Sequence, residues 1–493
     1  MAQEEKELIR TGPRGSPPRR KRPAALPIWG ESSAVMALYH SGVLADIAII
    51  LGILGFFYGL TQVSQEWAGI LRPTVVIDLS LGSLPRYTFF SLIRGLAAYA
   101  VSLGFTIVYG YWAAKDKLAE KLLVPILDIL QSIPVLGFMP GLVLALVSLF
   151  PSSNVGLELA CILMIFTGQV WNMTFSFYNS LKSVPQYLQE AGTVYHFNWW
   201  QRLTQIEMPY SAVGLIWNSM MSMAGGWFFL MVTETFQLGN RDFRLPGIGS
   251  YMSVAVDSGN TKAMIGAVVA MILMIVALDQ LLWRPIVVWA QKFRIEDTTQ
   301  EEVMESWFLD LLRHSHILRW LGVIGASIRR SFRKSPVPSS PVPTATDAGS
   351  TSSLDSSPST GNRPAAGVLV SHLAFGLLAA GLAVALIQVV RLLASVSAAE
   401  WVHLVHSDLL TLARVTAAIL LGTVWTVPLG IRIGLSPKLS RIMQPLVQVA
   451  ASFPAPMLFP AVILILTSLN ISIGVGSVVL MLLGTQWYIL FNV

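Results

Sequence analysis

Gln169, Asn172, Asn218, Thr233 and Glu234 stand inside runs of apolar residues, with Gly225 and Gly226 among them. Polar side chains inside membrane spans face a bundle interior or a cavity, so this set is the candidate lining of a path, alongside its role in joining helices. Gln486 and Asn492 are the corresponding candidates near the end of the chain. Other constellations are poorer. His314 and His316 alternate instead of sharing a helical face, and His403 with His406 lacks further ligands, so no metal site is expected. Cys161, the single cysteine, rules out an intrachain disulfide and a cysteine-based cluster. No GxxxxGK[ST] occurs, so this chain has no P-loop to cradle a phosphate, and no cofactor is expected.

The elements that hold such residues follow from composition. Charged residues make up 12% of the 493 residues and apolar ones 54%, where a soluble protein carries roughly 25% charged residues. The deficit is concentrated. Twenty uncharged residues separate Arg94 from Lys115, 29 separate Asp128 from Glu158, and the last 52 residues contain no Asp, Glu, Lys or Arg. A spanning helix needs roughly 20 apolar residues, so the expected fold is an all-α polytopic bundle in the lipid bilayer. The hydrophobic runs predict helices near 42–63, 89–112, 123–149, 156–179, 210–233 and 263–290, then near 366–390, 409–430, 442–468 and 472–492.

Charge between the runs predicts orientation. Residues 1–35 form a basic, Pro- and Gly-containing tail of disordered composition. If that tail is cytosolic, the turns bearing Lys115, Lys117 and Lys121, then Lys182 and Arg202, then Lys292 and Arg294, then Arg432, Lys438 and Arg441 are cytosolic too. The basic residues therefore report topology, and no nucleic-acid partner is expected. Residues 293–334 have helical apolar spacing with arginines around it, suited to a membrane surface or a linker helix. Residues 335–365 are rich in Ser and Pro and read as a tether between a first block, 36–292, and a second, 366–493.

The two blocks repeat. An offset of 320 pairs Arg94 with Arg414, Ala98 with Ala418, Thr106 with Thr426, Gly110 with Gly430, Pro125 with Pro445, Pro134 with Pro454 and Pro140 with Pro460. A shared proline spacing means a shared bend. After a shortening by four residues, Gly168, Trp171 and Phe175 pair with Gly484, Trp487 and Phe491. The copies have the same orientation, which predicts two parallel modules about an axis along the membrane normal. Asp128 falls on Gln448, so a carboxylate is not required in both copies. Arg94 and Arg414 are expected to anchor helix ends at the interface, with attraction of an anion as the alternative role.

Residues 183–211, flanked by two spans of the first block, are far longer than a turn. Pro185 suits the first turn of a helix reaching about Tyr195, and Asn198 with Gln201 has capping-box spacing for a second helix that Pro209 should end. A helix, a corner and a helix make a stiff elbow that a partner could grip. Glu190-Ala191-Gly192, the corner at His196, and Ile206-Glu207-Met208-Pro209 resemble the EAA loop of binding-protein-dependent ABC importer permeases, within 183–209. The flanking VYHFNWWQR, GGWFFLMVTE and LPGIGSYM resemble the nitrate, sulfonate and taurine branch.

That resemblance implies a permease for a small solute of the nitrate, sulfonate, taurine or bicarbonate kind, a substrate-binding protein outside the membrane, and separate cytosolic ABC ATPase subunits. The permease itself would not be an enzyme. It implies Glu190 as the acidic ATPase contact, Ala191 and Gly192 as close-packing positions, and His196 at the corner in place of the usual small residue, at some conformational cost. The competing readings are a carrier driven by an ion gradient and an inactive membrane scaffold. The second copy stops at Val493, where the first continues through Asn179 into its loop, so the second module is expected to be incomplete, and the chain either a fragment of a longer frame, the favoured reading, or a truncated product that pairs with another chain.

Overall fold

The computed structural model describes residues 43–69, 76–238, 241–293, 306–316, 320 and 365–493. The expected tail and all of the expected tether except residue 365 lie outside them. Of the segment 293–334 the described part includes a helix, Trp307–His314. The described residues form two compact units, the smaller made of 43–51 with 311–316 and 320. Within that smaller unit Ser315 Oγ donates to Asp46 Oδ1 at 2.6 Å. Helices Val43–Trp67 and Trp307–His314 each have residues in both units, and the side-chain contacts described next belong to the larger unit.

Helices dominate. They are α1 (Val43–Trp67), α2 (Leu84–Lys115), α3 (Lys117–Ser132), α4 (Val135–Leu149), α5 (Val155–Lys182), α6 (Gln186–Val194), α7 (Trp199–Arg202) and α8 (Met208–Glu234). Two-residue strands β1 (Gln237–Leu238) and β2 (Arg241–Asp242) pair antiparallel with Leu238 opposite Arg241. Then come α9 (Ile248–Asp257), α10 (Thr261–Leu278), α11 (Arg284–Ala290) and α12 (Trp307–His314). The last are α13 (Ala365–Ala394), α14 (Ala398–Gly434), α15 (Pro437–Ser452), α16 (Phe459–Ser468) and α17 (Ile473–Asn492). Six helices of the described residues are long and apolar enough to cross a membrane, or up to eight if each of two bent pairs is one span. The chain is an all-α, multi-pass membrane protein.

The bent pairs correct the expectation of single helices at 123–149 and 442–468. α3 and α4 meet at 94°, and α15 meets the turn Ala455–Leu458 with α16 at 83°. Proline disfavours helical backbone in the residue before it. Ile133, before Pro134, is extended at φ −73°, ψ 123°, and Phe453, before Pro454, repeats it at φ −73°, ψ 125°. The interior Pro125 and Pro140 leave their helices unbroken.

The centre of the first block is α2, α5 and α8. α5 is the innermost, with 56% of its apolar window buried against 6% for α1. Small residues permit the approach: a Cβ on Gly110 of α2 would stand 3.0 Å from Phe177 Cδ1 of α5. The same contact recurs in the second block, where a Cβ on Gly430 of α14 would stand 3.0 Å from Val493 Cγ1, next to α17. Gly110 and Gly430 are 320 apart, and Phe177 and Val493 are 316 apart, the two offsets of the sequence repeat. Ala98, Thr106, Ala418 and Thr426 are all buried.

Candidate functional site

The elbow forms as its sequence directs. Helix α6 ends in a Schellman arrangement: the Phe197 amide donates to Gly192 O at 2.8 Å and the His196 amide to Thr193 O at 3.0 Å. The residue between those closures must be left-handed, and His196 has φ 51°. Asn198 then caps α7, its Oδ1 accepting from the Gln201 amide at 2.8 Å while Gln201 Oε1 accepts from the Asn198 amide at 2.9 Å. Gly192 is buried, and a Cβ there would meet Ile206 Cδ1 at 2.9 Å, so glycine lets the two limbs close on each other. Ala191 is half-buried beside it, and Glu190 is exposed, its carboxylate accepting from Gln186 Nε2 at 2.8 Å.

Pro209 does not end the second limb, contrary to expectation. A π turn over Leu203–Glu207, closed by the Met208 amide donating to Leu203 O, carries α7 without a break into α8. Widening the turn before the proline removes the need for its missing N–H. The elbow's second limb is thus the leading end of a long span. Glu207, buried within that turn, pairs with Lys115 Nζ of α2 at 2.5 Å, while its Oε2 is buried without a hydrogen bond. Tyr111 packs edge-on against Trp199 at 5.9 Å. Beside it Glu120 accepts from Lys182 Nζ at 2.7 Å and Tyr178 OH at 2.5 Å, tying α3 to α5.

At the opposite end of α2 lies a buried charged knot. Arg94 Nε and Nη2 each donate to Glu158 of α5 at 2.6 Å, in a bidentate pair. Arg94 Nη1 donates to Glu234 of α8 at 2.8 Å and to Pro246 O at 2.7 Å. Glu234 also accepts from Ser91 Oγ at 2.7 Å and from the Gly249 amide at 2.8 Å. That amide belongs to the first turn of α9, where helix N–H groups favour an anion. All three ionic side chains are at most 2% exposed, so each is held by explicit partners. The expectation that Arg94 anchors at the interface is therefore corrected: it is one of the most deeply buried residues, because two carboxylates and a carbonyl replace its water.

Sequence reasoning missed Glu158, Ser91, Gly247 and Gly249. A Cβ on Gly247 would collide with the Glu234 carboxylate, and one on Gly249 would meet Met231 O at 2.9 Å. The LPGIG segment therefore owes its glycines to the approach of backbone to a buried acid. The available signal was Glu158 itself, a lone charge within an apolar run.

The path candidates fall in separate places. Gln169 is buried, against Gly226, with Nε2 donating to Met223 Sδ at 3.3 Å and Oε1 facing Ser102 Oγ at 3.4 Å. Asn218 donates to Ser176 Oγ and to Gly214 O at 3.0 Å, and Thr233 Oγ1 stands 3.0 Å from Cys161 Sγ. Asn172 is exposed, Gly225 half-buried, and Gln486 buried, while the side chain of Asn492 lies outside the described set. Glu234 is in the knot. In the second block Arg414 is half-buried beside Gly474, the residue that offset 316 sets against Glu158. Among the described residues no cluster of His, Cys, Asp and Glu is arranged to hold a metal ion.

Residues 106–282 match the family model described as the inner membrane component of binding-protein-dependent transport systems. The chain is 25% identical over 193 residues to a protein described as the putative aliphatic sulfonates transport permease protein SsuC of Bacillus subtilis (strain 168). That similarity covers 38% of this chain and 66% of the relative, just under two thirds of its length. The stretch matched by the family model contains the first bent pair, the elbow, the central helices α5 and α8, and the last part of α2. Residues 106–282 therefore belong to the family of binding-protein-dependent transport inner membrane components.

Proposed function

We propose that this chain is the solute-conducting subunit of an ABC importer in a bacterial inner membrane, and that its elbow, residues 186–207, is the part gripped by a separate cytosolic ATPase. The observation that carries the reading is the elbow's construction. A left-handed corner closed by paired hydrogen bonds fixes the angle between its limbs, and its second limb continues into α8. A push on Glu190 or on the exposed Tyr187, Tyr195, Trp199 and Trp200 would travel into α8 as rigid-body motion. Aromatic residues such as these are enriched at protein–protein docking surfaces. The basic turns support a cytosolic side for this elbow and for the N-terminus.

The two blocks act as paired modules in this reading, supported by the similar bends of 94° and 83°, the nearly identical dihedrals at Ile133 and Phe453 and the recurring glycine contacts. The solute is a small sulfonate-type anion delivered by an extracytoplasmic binding protein; the sulfonate transport relative supports that class. Gln169, Asn172, Asn218 and Gln486 remain the proposed polar lining, exposed as the bundle rocks. An affinity-tagged chain co-expressed with the ATPase from the same system tests the docking. Glu190→Lys should lower ATPase recovery about tenfold, as a reversed charge at an interface does; equal recovery with both versions sinks docking through this elbow.

A further inference from the structure

Helix α15 of the second block lies against α8 and α10 of the first, beside a small gap of about 20 Å³ lined by Met223, Trp227, Ile275, Asp279, Gln448 and Val449, among others. One side-chain hydrogen bond spans it: Gln448 Nε2 donates to Asp279 Oδ1 at 2.9 Å. Asp279 opens the π turn Asp279–Trp283, and its other oxygen accepts from Gln280 Nε2 at 2.9 Å and lies 3.5 Å from Arg284 Nε. One carboxylate thus faces one guanidinium and two amides. Offset by 320, the residue matching Gln448 is Asp128, exposed on α3 beside Ile129 and Leu130. If α3 of another first module docked on α8 and α10 as α15 does, Asp128 would stand opposite Asp279. Two carboxylates would then share one arginine, a like-charge juxtaposition that disfavours the wrong partner.

We propose that Gln448 and Asp279 form a selectivity key, by which the first module accepts the second module of this chain and rejects a second copy of itself. The acceptor surface of α8 and α10 is common to both choices, and the discriminating element is the amide at 448 against the acid at 128. Specificity by an introduced repulsion is a general device at interfaces between similar partners. The inference rests on the two-module reading proposed above.

The test uses the full chain in native membranes with Ile275→Cys and Val449→Cys and a protease site inserted near residue 350. The chain's own Cys161 is buried, so a short bifunctional thiol reagent reports on the introduced pair. After cleavage, the two halves should stay joined in the parent. Gln448→Asp should lower the joined fraction about tenfold, and adding Asp279→Asn to Gln448→Asp should restore it, because one carboxylate again faces one arginine. A yield that Gln448→Asp leaves unchanged, or that Asp279→Asn does not recover, overturns the key while leaving the docking intact. Halves that separate in the parent overturn the docking itself, and the two-module reading with it.

Discussion

Arg94 shows how much a side chain's meaning depends on its surroundings. On sequence it is a cation near a helix end, and in the fold its guanidinium spends four donor contacts on Glu158, Glu234 and Pro246. Removing one member leaves an uncompensated buried charge, which costs about 3–5 kcal/mol. Arg94→Leu should therefore lower the unfolding midpoint of the purified protein in detergent by many degrees, and Arg94→Leu with Glu158→Leu should recover part of the loss. Additive losses in the double variant would show that the two residues act independently. Gly247→Ala is smaller in volume but equally pointed: its methyl would enter the Glu234 carboxylate, so about 1–3 kcal/mol should be lost to overpacking, read in the same assay. Arg94 and Glu234 were legible as polar residues in spans, but their partnership was not. It joins residues 140 apart, and pairing at that distance is a property of helix packing that leaves no periodic trace in the chain.

The elbow is the element whose sequence is most self-sufficient. Its capping box and its corner are local, made within five residues, so Asn198, Gln201 and His196 could be read directly. Left-handed backbone costs a non-glycine residue about 1–2 kcal/mol. His196→Gly should accordingly slow amide exchange across residues 186–202 or leave it unchanged, whereas His196→Val should speed it, because a β-branched side chain is a poor fit to positive φ. Faster exchange with glycine would mean that the imidazole holds the corner through contacts rather than merely tolerating it. Pro209 was misread for a physical reason: a proline ends a regular α-helix, yet a π turn one step earlier absorbs the missing donor. That turn also points Glu207 inward at Lys115, a contact between elements far apart in sequence. Lys115→Met would strand a buried carboxylate and should weaken packing of the elbow on α2, visible as faster exchange over 199–207.

At the scale of the whole molecule, the apolar runs and prolines marked the spans and their bends, and Gly110 and Gly430, paired by the offset of 320, sit in matching contacts that only the fold reveals. Seam contacts such as Gln448 to Asp279 were beyond the sequence, because they depend on which faces of two similar modules meet. Coupling through the elbow requires it to lie on the cytosolic side, joined stiffly to α8 and available to an ATPase. Its most direct test is a Tyr195→Cys chain probed with a membrane-impermeant maleimide in inverted vesicles, with and without the ATPase subunit, against the low background of one buried native cysteine. Rapid labelling that the ATPase suppresses is the predicted result. Labelling from the outside of intact cells, or labelling in inverted vesicles indifferent to the ATPase, would contradict it.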